Sequence, residues 1–417
     1  MRRRTFVLSA LAAALGGAAT AAPSERSLRR AVRAAFAPAL ARRDFAGVVA
    51  VQADGAAPLI ESFALADDGP AAGAAQALYG IESISKLFTL EGLRALQEAG
   101  RLSYDDALER WLPGFANGTA ITLRMLAQHN AGLARELAPA ALDRTRPHTT
   151  AELAEACRAM APAAPPGSGF GYSNNGYRVL ARVLELAGDA PFDELIRARV
   201  LAPRGMLSTL EADAAARGRL APARVPGPGW DTLAAPPPVD LSNWRGAASY
   251  ASTAEDLLRF AASLEPAAAN PAPRTAIGHD GRGHGYLALC FRYPAERTSI
   301  VVLGRVESGV FDDLKRTLEQ LVFDGATPRL ELAEYRRGPG AIDPGMLGSY
   351  DLYGTPLLVG RDAGGGYFVD AGDGPQPLIA IGANTLFSRL HYATLRGAAG
   401  APLDWSEGSA RWRLSRR

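Results

Sequence analysis

Residues 79–100 read YGIESISKLFTLEGLRALQEAG, a stretch that joins a serine and a lysine to a helical pattern. Its leucines recur at helical spacing, and Gly100 marks the end of the helix. Ser83 and Lys86 are three residues apart, so a helix places both side chains on one face. A serine becomes a nucleophile when an adjacent base takes its proton, and a partly desolvated lysine can act as that base. The stretch predicts a reactive serine; the alternative is a solvated helix start with a chance Ser/Lys pair.

The composition makes this pair informative. The 417 residues include 45 basic and 43 acidic side chains, a formal net charge of +2, and all the basic residues except Lys86 and Lys315 are arginine. The near-neutral balance argues against a nucleic-acid binder, which needs a basic face. With 48% hydrophobic and 21% charged residues, the chain can bury a sizeable core. Its length predicts two or three domains.

Two further triplets are candidates for chemistry. Tyr172-Ser173-Asn174 follows a Pro/Gly-rich loop and precedes an amphipathic helix. A phenol acts as a general acid or base once neighbouring cations lower its pKa, although Asn174 could instead cap the helix. His279-Asp280-Gly281 precedes a strand-like run, where a glycine lets a substrate approach the backbone. The alternative for this triplet is a turn with an exposed histidine.

Strand-like segments lie at both ends of the region between residues 45 and 304, with helices between them. This order predicts an α+β fold rather than an alternating βαβ sheet. Residues 45–53 and 58–64 predict a hairpin around Asp54-Gly55. Ser252-Thr253-Ala254-Glu255 predicts a capping box that opens a helix, and the Pro-rich residues 225–239 predict a surface loop.

The pattern of residues changes near the C-terminal end of the sequence. Tyr335 to Gly340 is typical of a linker, and beyond it short strand-like runs alternate with Asp/Gly turns. This pattern predicts a small antiparallel β domain over residues 341–417, for which a barrel is one arrangement. Residues 22–335 then form the larger domain that carries the three motifs.

The N-terminal residues are typical of a targeting segment. Arg2-Arg3-Arg4 precedes a short apolar run, and Ala19-Thr20-Ala21 fits a cleavage site. Residues 1–21 therefore predict a signal peptide of the Sec or the twin-arginine type. The mature protein is expected to be exported, periplasmic or secreted, with no stable membrane anchor after cleavage. Cys157 and Cys290 are too few for a disulfide framework, and Cys290 is expected to be a buried free thiol.

Taken in order, the motifs S-x-x-K, Y-x-N and H-x-G resemble those of the serine β-lactamase and penicillin-binding-protein superfamily. The likeness is greatest to class C β-lactamases, D,D-carboxypeptidases and their esterase relatives. It extends to residues 100–113, 121–133 and 203–206 and covers residues 30–325. The resemblance implies a β-lactamase/transpeptidase-like domain, in which an antiparallel sheet with flanking helices joins an all-helical region. Some members also carry a C-terminal β-barrel appendage.

The resemblance also implies roles for individual residues. Ser83 would be the nucleophile that becomes acylated. Lys86 and Tyr172 would share its proton and later activate the water that removes the acyl group. Asn174 would bind the substrate amide.

On the later strand, the resemblance places His279 where the family has the lysine of K-T-G, and Asp280 and Gly281 complete this substrate-binding triplet. The backbone N–H groups of Ser83 and Arg282 would form the oxyanion hole, donors aimed at the developing negative charge. Asp280 stands where the family usually has threonine. An acid there repels a substrate carboxylate unless Arg282 compensates.

These features predict an exported serine hydrolase that acts through an acyl-serine on an ester or an uncharged amide. Glu82 also departs from the family, which commonly has a small residue before the nucleophile. The alternatives are a D,D-carboxypeptidase or D-amino-acid peptidase, a β-lactamase, and, in another class, a non-catalytic penicillin-binding-like sensor.

Other chemistries find less support in the sequence. It contains no Gly-x-Ser-x-Gly, so a nucleophile elbow is absent. The five histidines show no metal-ligand spacing, and no glycine motif for phosphate is present. No metal or cofactor is expected, and the expected partner is a small-molecule or peptide substrate rather than a nucleic acid.

Overall fold

The computed structural model describes residues 25–68, 76–138, 140–213, 216–266, 271–325, 340–352, 355–372, 374–407 and 410–417. The expected signal peptide and residues 335–339 of the expected linker lie outside the described residues. The helices are α1 (Glu25–Ala41), α2 (Ser85–Glu98), α3 (Leu123–Ala127), α4 (Thr150–Arg158), α5 (Asn174–Gly188), α6 (Phe192–Ile196), α7 (Ala254–Ala262) and α8 (Phe311–Asp324). No helix of these ranges is both long and apolar enough to cross a bilayer.

An antiparallel sheet forms the centre of the larger domain. The strands before the C-terminal barrel are β1 (Gly47–Ala53), β2 (Leu59–Phe63), β3 (Tyr79–Gly80), β4 (Leu210–Glu211), β5 (Val225–Pro226), β6 (Leu233–Ala234), β7 (Tyr250–Ser252), β8 (Ile277–Gly283), β9 (Tyr286–Tyr293) and β10 (Thr298–Gly304). The central sheet has the order β2-β1-β10-β9-β8. Strand β8 is therefore an edge strand, and one side of its backbone is open.

The sheet has an apolar layer on each face because its side chains alternate. Val49 and Val302 pack with α1 and α8 on one face. Val48 and Val301 pack on the other face, against α7 and a helical region built around α2 and α5. The nucleophile candidate belongs to this second side, where Glu82–Ile84 form a 3₁₀ turn that leads directly into α2.

The described C-terminal residues form a closed barrel in which neighbouring strands pair antiparallel. Its strands are β11 (Gly348–Leu352), β12 (Thr355–Arg361), β13 (Tyr367–Asp370), β14 (Gln376–Gly382), β15 (Thr385–Ser388), β16 (Ala393–Arg396), β17 (Leu403–Glu407) and β18 (Ala410–Arg416). Inward side chains such as Tyr350, Leu386 and Leu414 fill the interior. The α+β class and the C-terminal antiparallel β domain are thus confirmed, whereas the boundaries at 335 and 341 stay a prediction.

The structure confirms some of the predictions made for individual segments and contradicts others. The hairpin of β1 and β2 and the buried, free state of Cys290 are confirmed, and Cys157 is also buried and free. The capping box at Ser252 is wrong: Thr253 caps α7 by accepting the N–H of Asp256. Ser252 instead hydrogen-bonds Thr209 at 2.8 Å. The stretch 225–239 is not all loop, because β5 and β6 pair within it.

Candidate active site

Ser83 lies between a lysine and a tyrosine. Its Oγ is 3.0 Å from Lys86 Nζ and 2.9 Å from the hydroxyl of Tyr172. Ser83 belongs to the 3₁₀ turn and Lys86 to the first turn of α2, while Tyr172 comes from the segment before α5. The structure therefore brings together the three residues that the sequence predicted as catalytic, although Tyr172 is 89 positions from Ser83 in the chain.

Lys86 is buried, with 1% of its surface exposed. Its Nζ also donates to the carbonyl oxygen of Ala247, at 3.0 Å. Burial lowers the pKa of Lys86 to about 7, although the carboxylate of Glu136 acts in the opposite direction. A large share of this lysine is consequently a neutral amine at neutral pH, and its lone pair can accept the Ser83 proton.

The ring of Tyr172 is enclosed by basic side chains. His129 stacks on it with 4.4 Å between ring centroids, and the guanidinium of Arg135 lies 5.0 Å from its centroid. Burial lowers the pKa of His129 to about 4, so its ring is neutral. Burial also raises the pKa of Tyr172, although the hydrogen bond between Tyr172 and Ser83 and the charge of Arg135 lower it. The pKa of Tyr172 therefore lies above the ordinary value of a tyrosine, because burial penalises the phenolate more strongly than Arg135 and Ser83 stabilise it.

Asn174 is the first residue of α5 but does not cap it. The cap is Ser173, whose Oγ accepts the N–H of Gly176 at 3.0 Å. The Asn174 amide nitrogen donates to Glu136, which in turn accepts hydrogen bonds from Arg178 and Trp244. Within the described residues, Asn174 Oδ1 is buried without a partner. This oxygen is the one a substrate N–H could satisfy.

Strand β8 lies against the 3₁₀ turn that carries Ser83. A Cβ at Gly281 would lie 2.6 Å from the carbonyl oxygen of Ile81 and 2.8 Å from the backbone nitrogen of Ser83. His279 contacts the carbonyl oxygen of Asp280 through Nδ1, and burial lowers its pKa. The Asp280 side chain is 51% exposed. The strand thus carries the predicted triplet to the edge of the site.

The end of β8 determines where the Arg282 N–H points. His284 and Gly285 have φ values of +51° and +87°, as in a type I′ two-residue hairpin, and Gly283 pairs with Tyr286 across it. In such hairpins the pair beside the turn exchanges hydrogen bonds, so the next residue directs its N–H to the open edge. The Arg282 guanidinium donates to the Leu390 carbonyl of the barrel at 3.2 Å.

Four residues of the site were not among the predicted ones: His129, Arg135, Glu136 and His284. His129 lies in the family-like stretch 121–133, so a signal for it was present. Arg135 and Glu136 had no signal, because their contacts come from the approach of distant segments. His284 likewise had no signal, because its partner Glu82 is 202 residues away in the sequence. In the part of the chain that the structure describes, no group of three or more His, Cys, Asp or Glu side chains could hold a metal ion.

Comparison with known protein families identifies the family of this chain. The sequence matches the family described as Beta-lactamase over residues 32–274, more than half of the chain. The chain belongs to the Beta-lactamase family. This membership confirms the recognition made from the three motifs, and Beta-lactamase-family proteins of this kind are serine hydrolases.

Two curated relatives illustrate the membership. Penicillin-binding protein 4* of Bacillus subtilis (strain 168) is 25% identical over 280 residues, which are 55% of this chain and 61% of that protein. The D-alanyl-D-alanine-carboxypeptidase/endopeptidase AmpH of Escherichia coli (strain K12) is 34% identical over 140 residues, 31% of this chain and 35% of that protein. The chain spans less than two thirds of the length of either relative.

A solved structure extends the likeness to both parts of this Beta-lactamase-family chain. The crystal structure of SurE has a TM-score of 0.60 and 20% sequence identity, and the match covers 95% of this chain and 100% of that one. A likeness at this identity concerns the fold alone. The neighbour therefore supports an arrangement in which the barrel accompanies the hydrolase domain.

Proposed function

We propose that this Beta-lactamase-family chain is an exported hydrolase of esters or uncharged amides that acts through an acyl-enzyme on Ser83. One observation carries the proposal: Ser83 Oγ lies 3.0 Å from Nζ of Lys86, whose side chain is buried. Burial lowers the pKa of this lysine to about 7. A hydroxyl beside an unprotonated base is the arrangement that nucleophilic catalysis needs.

The first half-reaction uses the neutral form of Lys86. Ser83 Oγ attacks the substrate carbonyl carbon while Lys86 accepts the hydroxyl proton. The negative charge that develops on the carbonyl oxygen is held by the backbone N–H groups of Ser83 and Arg282. Collapse of the tetrahedral species expels the alcohol or amine, which takes a proton that returns through Lys86 and Tyr172.

The second half-reaction reverses these transfers with water in place of the leaving group. Tyr172 stays a neutral phenol, because burial raises its pKa, so it conveys a proton rather than storing negative charge. Asn174 accepts an N–H of an amide substrate through its unpartnered Oδ1. His279 and Gly281 line the strand along which the substrate lies.

The preference for uncharged substrates is supported by Asp280. Its carboxylate is half-exposed on β8, close enough for its charge to raise the pKa of Tyr172. Arg282, which could have offset this charge, donates instead to a carbonyl of the barrel. A substrate carboxylate in this place meets a like charge.

Covalent labelling tests the proposal. The protein is incubated with a fluorophosphonate and, separately, with a penicillin, and the intact mass and the labelled peptide are measured. We expect a fluorophosphonate adduct on Ser83 that the Ser83→Ala variant lacks, and no stable penicilloyl adduct. Ser168→Ala, at an exposed serine on the nearby loop, is the matched control and should label as the parent does.

Each other result supports a different function. A stable penicilloyl adduct on Ser83 favours a D,D-carboxypeptidase or penicillin-binding protein, and rapid penicillin turnover favours a β-lactamase. Labelling that persists in Ser83→Ala overturns the nucleophile assignment. A folded protein that neither reagent labels favours the non-catalytic sensor.

Export and domain division belong to the same proposal. Export is supported by the signal-peptide pattern of residues 1–21, and fractionation of producing cells with N-terminal sequencing of the mature chain tests it. The division into residues 22–335 and 341–417 is supported by the change of texture in the sequence. Limited proteolysis that releases these two fragments would support it.

A further inference from the structure

The carboxylate of Glu82 and the imidazole of His284 form a pair behind the nucleophile. His284 Nδ1 lies 3.0 Å from Glu82 Oε2, and the Glu82 side chain is 3% exposed. The indole of Trp244 contacts the imidazole in a T-shaped arrangement, with 4.4 Å between ring centroids. Neither residue of the pair has a role in the proposed proton transfers. A buried carboxylate is costly unless it is paired, so this position needs a partner such as His284.

The pair joins the two chain segments that supply the proposed oxyanion hole. Glu82 precedes Ser83, and His284 follows Arg282 by two residues. The segments are in close backbone contact, because a Cβ at Gly281 would lie 2.8 Å from the Ser83 nitrogen. A Cβ at Gly283 would lie 3.0 Å from Glu82 Oε2, so the carboxylate packs directly beneath the end of β8.

Both members of the pair hold a backbone conformation that is unfavourable for them. The φ values are +47° at Glu82 and +51° at His284, in the left-handed region that non-glycine residues seldom adopt. Such conformations persist where surrounding contacts fix them, and they concentrate at functional sites. A contact between the side chains of these two residues fixes both turns at once.

A second carboxylate secures the hairpin from the other side. Glu307 accepts the backbone N–H of Gly285 at 2.8 Å. The negative charges of Glu82 and Glu307 both raise the pKa of His284, against the effect of burial. The imidazole therefore lies between two acidic groups, Glu82 and Glu307, that belong to separate chain segments.

We propose that the Glu82–His284 pair is a positioning element that fixes the distance and direction of the Ser83 and Arg282 N–H groups in the oxyanion hole. The proposal rests on the proposed acyl-serine function. It gives a purpose to the acid that stands before the nucleophile, where the family commonly has a small residue. The pair acts through the backbone and does not touch the substrate.

The test is a double-mutant cycle on the turnover of a neutral ester, p-nitrophenyl acetate. Glu82→Ala should lower kcat by about tenfold to hundredfold with little change in KM, because the hole stabilises the transition state more than the bound ester. Glu82→Gln keeps a hydrogen-bond acceptor for His284 and should recover most of that loss. His284→Asn removes the imidazole that contacts Glu82 and replaces it with a residue that tolerates the left-handed conformation. The double variant Glu82→Ala/His284→Asn should be no slower than the slower single variant. Each single variant already removes the interaction between the two side chains, so the second substitution has no further interaction to remove.

A buried acid far from the site separates positioning from stability. Glu61 is 2% exposed and pairs with Arg29 and Arg33 at the opposite edge of the sheet. Glu61→Ala should lower the thermal midpoint while leaving kcat unchanged. Additive losses in the cycle, a loss confined to KM, or an unchanged kcat in Glu82→Ala would overturn the inference. Failure of the proposed function is recognised separately, as a parent protein whose Ser83 is not labelled.

Discussion

At the scale of single residues, Lys86 differs from the arginines of this chain in being able to lose its proton. A guanidinium stays protonated in proteins, whereas a buried ammonium does not. Since burial lowers the pKa of Lys86 to about 7, acylation should rise with pH through that value and level off above it. Lys86→Arg should be about 1,000-fold slower at every pH, much like Lys86→Ala, because it has no base to offer. Pre-steady-state acylation by a neutral ester on both sides of pH 7 measures this.

The other lysine supplies the matched control. Lys315 lies on α8, 3.6 Å from Glu319, and is 33% exposed. Lys315→Arg should retain the parent rate and the parent pH profile. An active Lys86→Arg enzyme would mean that Lys86 acts only as a fixed charge.

Asp280 should determine how strongly the protein prefers uncharged substrates over substrates that bear a carboxylate. Asp280→Thr removes a like charge worth about 1 kcal/mol or more in a partly desolvated site and supplies the hydroxyl of the family pattern. We expect the ratio of kcat/KM for a penicillin or D-alanyl peptide over that for a neutral ester to rise by about tenfold. Asp404→Thr, at an exposed aspartate of the barrel, should leave the ratio unchanged. A ratio that stays flat or falls in Asp280→Thr removes the main support for uncharged substrates.

The candidate catalytic residues could be selected from the sequence because their proposed chemistry depends on local spacing. Ser83 and Lys86 are one turn apart, and Tyr172 stands in a recognisable triplet. The direction in which the pKa of Tyr172 shifts could not be predicted in this way, because the burial that raises this pKa comes from tertiary packing. The contacts of Glu136 and His284 likewise join segments that are far apart in the sequence.

At the scale of elements, the contact between β8 and the 3₁₀ turn sets the shape of the site. Gly281→Ala would introduce a Cβ within 2.8 Å of the backbone on which Ser83 lies. The two segments must then move apart, and we expect kcat for a neutral ester to fall by about hundredfold through a distorted oxyanion hole. Circular dichroism should show the fold retained.

Another glycine near the site tests whether the effect is specific. Gly171 precedes Tyr172, and a Cβ there meets nothing within 4 Å. Gly171→Ala should therefore keep near-parent activity. Equal losses in both variants would contradict the close contact at Gly281.

Elements with regular patterning could be predicted better than their ends and short ribbons. The β1–β2 hairpin follows from alternating apolar residues around a turn. The β5–β6 ribbon lies in a Pro-rich stretch, where composition favours a loop. The helix cap fell on Thr253 rather than Ser252, because Ser252 bonds to a residue that is 43 positions away in the chain.

At the scale of the whole molecule, a buried ion pair fastens the barrel to the hydrolase domain. Arg389 of the barrel donates to Asp44, which lies between α1 and β1, at 2.7 Å and 3.0 Å. Both side chains are at most 4% exposed. Tyr392 donates to the same carboxylate, and Phe387 stacks on Trp230 at 5.9 Å. The barrel is thereby held beside β8, where it also receives the Arg282 hydrogen bond.

Breaking this pair should cost stability. Arg389→Met leaves the Asp44 carboxylate buried without its cation, for an expected loss of about 3–5 kcal/mol in the free energy of unfolding. The midpoint of urea denaturation measures the loss. Arg413→Met, at an exposed barrel arginine, should change stability by less than about 0.5 kcal/mol. An unchanged midpoint in Arg389→Met would show that the barrel is fastened by other contacts.

The unequal exposure of the two lysines has a practical use. Lys86 is buried, with 1% of its surface exposed, whereas the Lys315 side chain is 33% exposed. Lys315 lies on α8, on the face of the central sheet opposite Ser83. An amine-reactive dye or sensor chip applied to the folded protein therefore meets one accessible lysine side chain. Coupling through this side chain, as distinct from the α-amino group, attaches the protein by the face of the sheet opposite Ser83.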